Sequence, residues 1–331
     1  MQSLHPVSKL RLGPSRRTRR RLRAAFGVLC FGLGAAACAA FGAESGRLMP
    51  NVPFPTLGGT QLWTDVAWDA GWKVQRHVWT EHTRLLDPAG VRRAWGAESA
   101  CRAALAARAD EAASAHEPRP LVVLVHGLAR SHRSLGALES RLEAEGYDVL
   151  PFEYASTRGT LADHAGALAG VLESLPEPRV VSFVTHSLGG VVLRELTRDA
   201  DAPWRARHTL GRAVTLAAPH RGARIAAWAA KARPVRWLMG PAFVALADGT
   251  AADLPEPDLA FATVAGVRGT PGGWNPLVPG DDDGLVAASE ATLPGASLHL
   301  ECEVLHTFVM GDPRVLDAVV GFLAGAAAPG D

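Results

Sequence analysis

The sequence predicts an α/β domain with a mostly parallel sheet of about six or more strands flanked by helices. From residue 121 onward, short apolar runs alternate with segments of helical periodicity, the pattern of a parallel sheet with crossover helices. The runs at 121–125 and 180–184 are rich in valine and almost free of polar residues, as expected for strands buried on both faces. The second run leads through a serine-containing turn directly into a helical segment. These three observations define the predicted fold class.

Composition and charge indicate a globular protein and argue against nucleic-acid binding. The chain has 331 residues, of which 48% are hydrophobic, so it can bury the core of one large domain with extensions. The net charge is +1, but eight basic residues precede the first acidic residue, Glu44, and the rest of the chain is net acidic. No basic face is visible in that remainder, so we expect no nucleic-acid partner.

Residues 1–48 are expected to be an export signal or a membrane anchor. The basic start runs into an apolar stretch of 20 residues at 24–43, which contains the small residues Ala37-Cys38-Ala39. The stretch is also long enough to span a bilayer, so cleavage and anchoring both stay open. We therefore expect a protein of a bacterial cell envelope, either periplasmic or secreted or anchored in the inner membrane, with possible membrane association through this segment.

Residues 49–118 read as a Trp-rich N-terminal extension that packs on the core. Tryptophans recur here among charged residues, and aromatic-rich extensions usually bury apolar area rather than grip a ligand. They are Trp63, Trp68, Trp72, Trp79 and Trp95. We predict a helix over 91–107 in this extension.

The main domain is predicted over 119–327, with its elements in alternating order. Valine-rich or alternating apolar runs predict strands at 121–125, 147–153, 180–184, 213–217, 261–267 and 298–304. Helical periodicity predicts helices at 134–145, 161–175, 189–198 and 313–323. The last of these begins with a proline, which the first turn of a helix tolerates.

Ser187 is the candidate nucleophile. It lies at the centre of Thr185-His186-Ser187-Leu188-Gly189, between the strand at 180–184 and a helix. Such a turn is sharp and strained, so the positions two away from the serine must be small, which Gly189 satisfies and Thr185 does not. The alternative is that Ser187 only caps the helix.

A second segment supplies candidate oxyanion donors. The strand at 121–125 ends in His126-Gly127-Leu128, and such a strand end brings backbone close to the serine turn. The backbone amides of Leu128 and Leu188 are expected to stabilise a developing oxyanion. The alternative is an ordinary strand-to-loop turn.

The acid and the base are expected on two later loops. Asp281, Asp282 and Asp283 follow the strand at 261–267, and Asp283, next to the turn glycine, is chosen as the acid that orients the base. The other two aspartates are expected in a solvated turn or at a cation. His306 follows the last strand and is the candidate base, whereas His299 lies inside that strand and is expected to be structural.

At these residues the sequence resembles the α/β-hydrolase superfamily, and specifically bacterial lipase-like esterases, over about 121–323. The matching segments are Val125-His126-Gly127-Leu128, Thr185–Gly190, the Thr-Leu-x-x-Pro-His-x-Gly pattern at 215–222, Asp283-Gly284-Leu285-Val286 and His306-Thr307-Phe308. The order Ser187, Asp283, His306 is the order in which α/β hydrolases carry their triad.

The resemblance implies hydrolysis of a small-molecule ester or lipid by a Ser–Asp–His triad, without metal or cofactor. It also implies a small cap inserted at about 222–257, with 224–246 as its apolar part, and places His126, Gly127 and His186 in the walls of the substrate site. An ordinary packing helix is the alternative for the cap.

Three functions stay open at this stage. The first is a lipase or esterase, and the second is an acyltransferase, thioesterase or amidase that uses the same site. The third is a non-catalytic, envelope-anchored interaction protein that has kept the motifs. A disulfide between Cys101 and Cys302 stays open. No spacing of Cys or His residues indicates a metal site.

Overall fold

The computed structural model describes residues 9–12, 61–112 and 119–325, and these carry two β-sheets. The larger sheet has the order β1-β11-β10-β9-β8-β6-β7 with every neighbouring pair parallel. Its strands are β1 (Lys9–Leu12), β6 (Leu121–Val125), β7 (Asp148–Phe152), β8 (Val180–His186), β9 (Thr209–Leu216), β10 (Ala260–Val267) and β11 (Leu298–Glu303). The predicted mostly parallel sheet is confirmed.

Helices cover both faces of the larger sheet. They are α2 (Gly136–Ala144), α3 (Leu161–Glu173), α4 (Leu188–Thr197), α5 (Pro203–Arg207), α6 (Arg224–Ala229), α7 (Arg233–Ala247) and α8 (Pro313–Leu323). Strand β6 shows why two faces are covered: all five of its residues are fully buried. Val123 packs into a cluster with α3 and α4, and Leu124 into a second cluster with α2 and α8. Alternate residues of β6 thus pack into two hydrophobic clusters, one on each face of the sheet.

Most predicted elements of this domain are present, with shifted ends. The helix at 313–323 has the predicted bounds, with Asp312 accepting from the Arg314 amide as its N-cap. Strand β8 runs two residues past its prediction, because Thr185 and His186 still pair with Thr215 and Leu216 of β9. The end of β8 is set by pairing with the neighbouring strand β9, and the periodicity of one segment does not predict such pairing.

The smaller sheet lies in the N-terminal extension and is antiparallel. Its order is β2 (Trp63–Asp69), β3 (Trp72–His77), β4 (Thr83–Leu86) and β5 (Arg92–Gly96), and α1 (Glu98–Ala112) follows it. The predicted helix over 91–107 is therefore wrong in its first part: β5 pairs with β4, with Trp95 opposite Arg84. The hydrogen bonds of the sheet outweigh the local helix preference there.

The aromatic residues of the extension differ in burial. Trp68 is buried and belongs to the same apolar cluster as Leu121 and Phe152 of the parallel sheet. Trp79, by contrast, is largely exposed. Packing against the parallel sheet is thus concentrated on β2.

The two cysteines outside the first 48 residues are both buried and free. Cys101 lies on α1 and packs against the antiparallel sheet, whereas Cys302 lies on β11 of the parallel sheet, and the two belong to separate apolar clusters. The disulfide that the sequence allowed is therefore not formed. Burial raises the pKa of the Cys302 thiol to about 12, so it stays protonated and unreactive.

The predicted export segment is described only at residues 9–12, which form β1. This strand pairs with β11 in the register Lys9 to His299. The apolar stretch at 24–43 lies outside the described residues. Among the described helices, none has the length and apolar character that a membrane span requires.

Candidate active site

The turn between β8 and α4 holds Ser187 in a strained conformation. Ser187 has φ 54° and ψ −122°, a region that side-chain-bearing residues rarely occupy. A Cβ on Gly189 would lie 2.4 Å from the Val125 carbonyl oxygen, so only glycine fits where α4 crosses β6. A Cβ on Gly190 would lie 3.2 Å from Thr185 Oγ1. The turn accommodates Thr185 because Gly190 leaves space for its side chain.

Ser187, His306 and Asp283 form one hydrogen-bonded chain. His306 Nε2 lies 3.1 Å from Ser187 Oγ, and His306 Nδ1 lies 2.7 Å from Asp283 Oδ2. A carboxylate only accepts, so Nδ1 carries the proton and the Nε2 lone pair faces the serine hydroxyl. This is the tautomer that a general base requires.

Asp283 is itself held in place by backbone groups. Its Oδ1 accepts the amides of Leu285 at 2.9 Å and Val286 at 2.8 Å. The His306 amide donates to the Asp283 carbonyl at 2.9 Å, which joins the two loops. Both side chains are buried, so their hydrogen bond is shielded from water.

The two neighbouring aspartates have structural roles. Asp281 accepts the amides of Arg268 and Gly269, and Asp282 accepts those of Asn275 and Gly284. Asp282 is fully buried, so the expectation of a solvated turn is wrong for it. In the described parts of the chain no group of three or more His, Cys, Asp or Glu side chains is placed to hold a metal ion.

The Leu128 and Leu188 amides are free to serve as oxyanion donors. Neither makes a hydrogen bond to any described residue, and Leu188 is the first residue of α4, where amides have no partner within the helix. A Cβ on Gly127 would lie 3.0 Å from Ser187 Cβ and 2.9 Å from His186 Nδ1. Glycine at 127 therefore lets the 126–130 loop approach the serine closely.

His126 and His186 do not line an accessible surface. Both rings are fully buried, so neither presents a surface to solvent, and their expected role in the substrate site stays a prediction. His186 Nε2 donates to the His306 carbonyl at 3.2 Å, and burial, with His306 adding to it, keeps the His186 pKa well below its usual value. His126 donates to the Gly127 carbonyl and stacks on Tyr154. Both rings support the loops that carry the site.

Sequence reasoning missed the side chains that hold the 126–130 loop from outside. Arg130 Nη2 donates to Thr307 Oγ1 beside His306, and the Arg130 carbonyl accepts from Gln61 Nε2. The Ala129 amide donates to Ser156 Oγ. Gln61 and Ser156 belong to no motif, so no sequence signal identified them. Thr307 belongs to the His306-Thr307-Phe308 segment, but its contact with Arg130 spans 177 positions and no local pattern predicts it.

Solved structures with this arrangement of strands and helices are numerous. The lipase BlEst2 of Bacillus licheniformis in its mature form is 21% identical with a TM-score of 0.50, over 63% of this chain and 94% of that one. Its propeptide form gives 22% identity and a TM-score of 0.50, over 63% of this chain and 51% of that one. The chain has the α/β-hydrolase fold.

Two further comparisons concern another solved structure and a family model. The metagenomic carboxyl esterase MGS0156 is 20% identical with a TM-score of 0.47, over 63% of this chain and 77% of that one. A family model described as a domain of unknown function, DUF7379, matches residues 90–248. No curated protein matches the sequence.

Proposed function

We propose that the protein is a serine hydrolase that cleaves carboxylic esters through an acyl-enzyme intermediate. The observation that carries the proposal is the chain from Ser187 through His306 to Asp283, with both hydrogen bonds formed. The strained turn at Ser187 and the free amides of Leu128 and Leu188 add to this support. The name of the BlEst2 structures, a lipase, agrees with this class.

The geometry of these residues supports the following mechanism. His306 Nε2 takes the proton of Ser187 Oγ while Oγ attacks the acyl carbon of the ester. The Leu128 and Leu188 amides hold the oxyanion, and His306 then protonates the departing alcohol. Water, deprotonated by His306, releases the acyl group from Ser187. Asp283 keeps the imidazole oriented and stabilises its charged form.

The surroundings of the site favour an apolar acyl substrate. Phe308 lies two residues after His306, and Leu285 lies two residues after Asp283. Both are large apolar side chains that are exposed. Exposed apolar residues around a pocket commonly bind apolar groups. We therefore propose a small-molecule ester or a lipid as substrate.

An active-site probe tests the proposal. A fluorophosphonate is expected to label the wild-type protein and not Ser187→Ala, because only an activated serine reacts at a useful rate. Ser174→Ala is the matched control, since Ser174 only donates to the Val171 carbonyl at the end of α3. It should be labelled like the wild type. A folded wild-type protein that stays unlabelled would refute the proposal.

A series of p-nitrophenyl esters of rising acyl length then defines the substrate. Increasing kcat/KM up to medium or long chains is expected because an apolar acyl chain can contact the exposed side chains of Phe308 and Leu285. Rapid cleavage of amides or transfer to added alcohols in preference to water would place the protein instead among the amidases or acyltransferases.

A further inference from the structure

The 126–130 loop contains a strained residue beside a candidate oxyanion donor. Ala129 has φ 54°, an unfavourable value for a residue with a Cβ, and directly follows Leu128. A strained backbone persists only where its surroundings hold it. The orientation of the Leu128 amide therefore depends on what fixes Ala129 and Arg130.

The side chain of Gln61, which lies just before β2, holds both Ala129 and Arg130. Gln61 Nε2 donates to the Arg130 carbonyl at 2.8 Å. Gln61 Oε1 accepts from Ser156 Oγ at 3.1 Å, and Ser156 Oγ in turn accepts from the Ala129 amide at 2.9 Å. The same Oε1 accepts from the amide and the hydroxyl of Thr157. Gln61 thus connects the loops after β6 and β7.

The attachment of Gln61 to these loops is reinforced along β2. The Asp65 amide donates to the Glu153 carbonyl at 2.9 Å, and Asp65 Oδ2 accepts the Glu153 amide at 2.8 Å. The Ala155 amide donates to Thr64 Oγ1. Strand β2 therefore runs beside residues 153–157 and carries Gln61 to a defined position.

We infer that Gln61 is a positioning residue for the oxyanion donors, so that the N-terminal extension is part of the catalytic apparatus. The inference rests on the proposed function. Gln61 touches no reacting atom and acts through Ser156 and the backbone of residues 129 and 130. Its loss should lower transition-state stabilisation and leave ground-state binding of the ester unchanged.

Gln61→Leu tests this inference, and Gln75→Leu is the matched control. Gln75 is a buried glutamine of the antiparallel sheet that donates to Asp65 and accepts from Arg84, and it makes no hydrogen bond to residues 126–130. We expect Gln61→Leu to lower kcat about 10-fold with an unchanged KM, since removal of a whole oxyanion donor costs about 100-fold. Gln75→Leu should lower the melting temperature and leave kcat unchanged. Equal kcat losses in the two variants would overturn the inference.

Amide hydrogen exchange gives a readout that does not need turnover. Exchange in a peptide covering residues 128–130 should be faster in Gln61→Leu than in Gln75→Leu and wild type. Equal exchange in the two variants would overturn the inference. A wild-type protein without esterase activity would instead refute the proposed function, and exchange would still decide whether Gln61 holds the loop.

A different observation concerns the surface of α6 and α7. Residues 221–247 contain five basic residues and no acidic one: Arg221, Arg224, Lys231, Arg233 and Arg236. All five are exposed, and the last four make no ion pair or side-chain hydrogen bond with described residues. The expectation of no basic face outside the N-terminal segment is therefore wrong for α6 and α7, although the domain as a whole is net acidic.

Large apolar side chains lie among these charges. Trp237 is 74% exposed and Trp228 is 58% exposed, and Leu238 is exposed beside them. Basic helices that also present tryptophan and leucine bind at the interface of anionic lipid bilayers, where the cations meet headgroups and the rings enter the acyl boundary. The combination is unusual for a surface that only contacts water.

Helix α6 begins at the same end of the parallel sheet as Ser187, and α7 follows α6. Helix α6 follows the C-terminal end of β9, the neighbour of β8. A Cβ on Gly240 in α7 would lie 2.1 Å from the Thr157 carbonyl oxygen, so α7 packs directly on the loop that Gln61 holds. We propose that the exposed face of α6 and α7 docks on an anionic lipid bilayer.

Vesicle sedimentation tests the docking proposal with the full chain carrying Ser187→Ala. We expect binding to phosphatidylglycerol-containing vesicles and much weaker binding to phosphatidylcholine vesicles. Trp228→Ala with Trp237→Ala, and separately Arg233→Glu with Arg236→Glu, should each weaken anionic binding about 10-fold or more.

Matched variants outside the two helices control for nonspecific effects and for the basic N-terminus. Trp79→Ala removes another exposed tryptophan, and Arg133→Glu with Arg198→Glu makes the same change in net charge. These controls should bind like the parent chain. Binding that falls no further in the α6–α7 variants than in the controls, or no binding of the parent chain, would overturn the proposal.

Discussion

At the scale of single residues, the choice among three adjacent aspartates depends on where each carboxylate points. Asp281 and Asp282 each accept backbone amides, and Asp283 accepts the His306 ring as well as backbone amides. A carboxylate in this position stabilises the imidazolium that forms during attack, and an amide in its place would favour the wrong tautomer.

Asp283→Asn is therefore expected to lower kcat by about 10³–10⁴-fold with a small effect on KM. Asp281→Asn is the matched control and should retain most activity, because its amide can still accept through its carbonyl oxygen. Steady-state kinetics on a p-nitrophenyl ester measures both. Comparable activity of Asp283→Asn and wild type would show that another acid serves His306.

At the scale of elements, the site depends on how closely α4 crosses β6. Gly189 lies where its Cβ would contact the Val125 carbonyl oxygen at 2.4 Å, and backbone cannot yield as a flexible side chain can. The helix that begins at Leu188 and the strand that leads to the 126–130 loop thus share one tight contact.

Gly189→Ala should move α4 away from β6, which lowers stability by a few kcal/mol and separates the Leu188 and Leu128 amides. Gly170→Ala in α3 is the control, since no atom lies within 4 Å of its added Cβ. That change should be neutral or stabilising by up to about 1 kcal/mol. Urea unfolding and kcat are the measurements, and equal behaviour of the two variants would contradict the packing argument.

At the scale of the whole molecule, several histidines are buried in the neutral form. Burial lowers the pKa of His164 to about 4 and that of His220 to about 3, and it lowers that of His186 strongly. Below about pH 6.5 the unfolded chain binds protons at these positions and the folded chain does not. The free energy of unfolding should therefore fall as the pH falls from about 6.5 toward 4.

Urea unfolding at pH 7 and pH 5 measures this effect, with up to roughly 2 kcal/mol of loss for each such histidine. His220→Gln keeps a partner for Thr215 Oγ1, which lies 2.9 Å from His220 Nε2, and cannot titrate. Its stability should depend less steeply on pH than that of the wild type. An equally steep dependence would show that His220 does not contribute.

The N-terminus poses a second question at this scale. We propose an envelope location from the basic start and the apolar stretch at 24–43. A cleaved signal would remove β1, and a spanning segment would separate residues 9–12 from 298–303 across the bilayer. Export and the pairing of β1 with β11 therefore exclude one another in the same molecule.

A chain that begins after residue 48 is expected to keep its fold and esterase activity, because β1 adds only four residues at one edge of the sheet. Thermal unfolding and ester hydrolysis measure this, and N-terminal sequencing of protein from the envelope fraction identifies the mature start. A truncated chain that fails to fold would make β1 an integral strand and argue against export.

Short-range patterns in the sequence were sufficient for much of this molecule. Valine-rich runs and helical periodicity depend on neighbouring residues, so they predicted the parallel strands, the helices after residue 121 and the strand–serine–helix turn at Ser187. The position of His306 after the last strand followed from the same local order.

Tertiary structure decided what depends on residues far apart in the chain. It buried His126 and His186, formed β5 by pairing with β4 where a helix was predicted, and brought Gln61 to Arg130 across 69 positions. The sequence had already favoured Asp283 as the acid, and the structure places its carboxylate at His306. Hydrogen bonds and burial of this kind form only when separate elements pack together, and no periodicity within one segment encodes them.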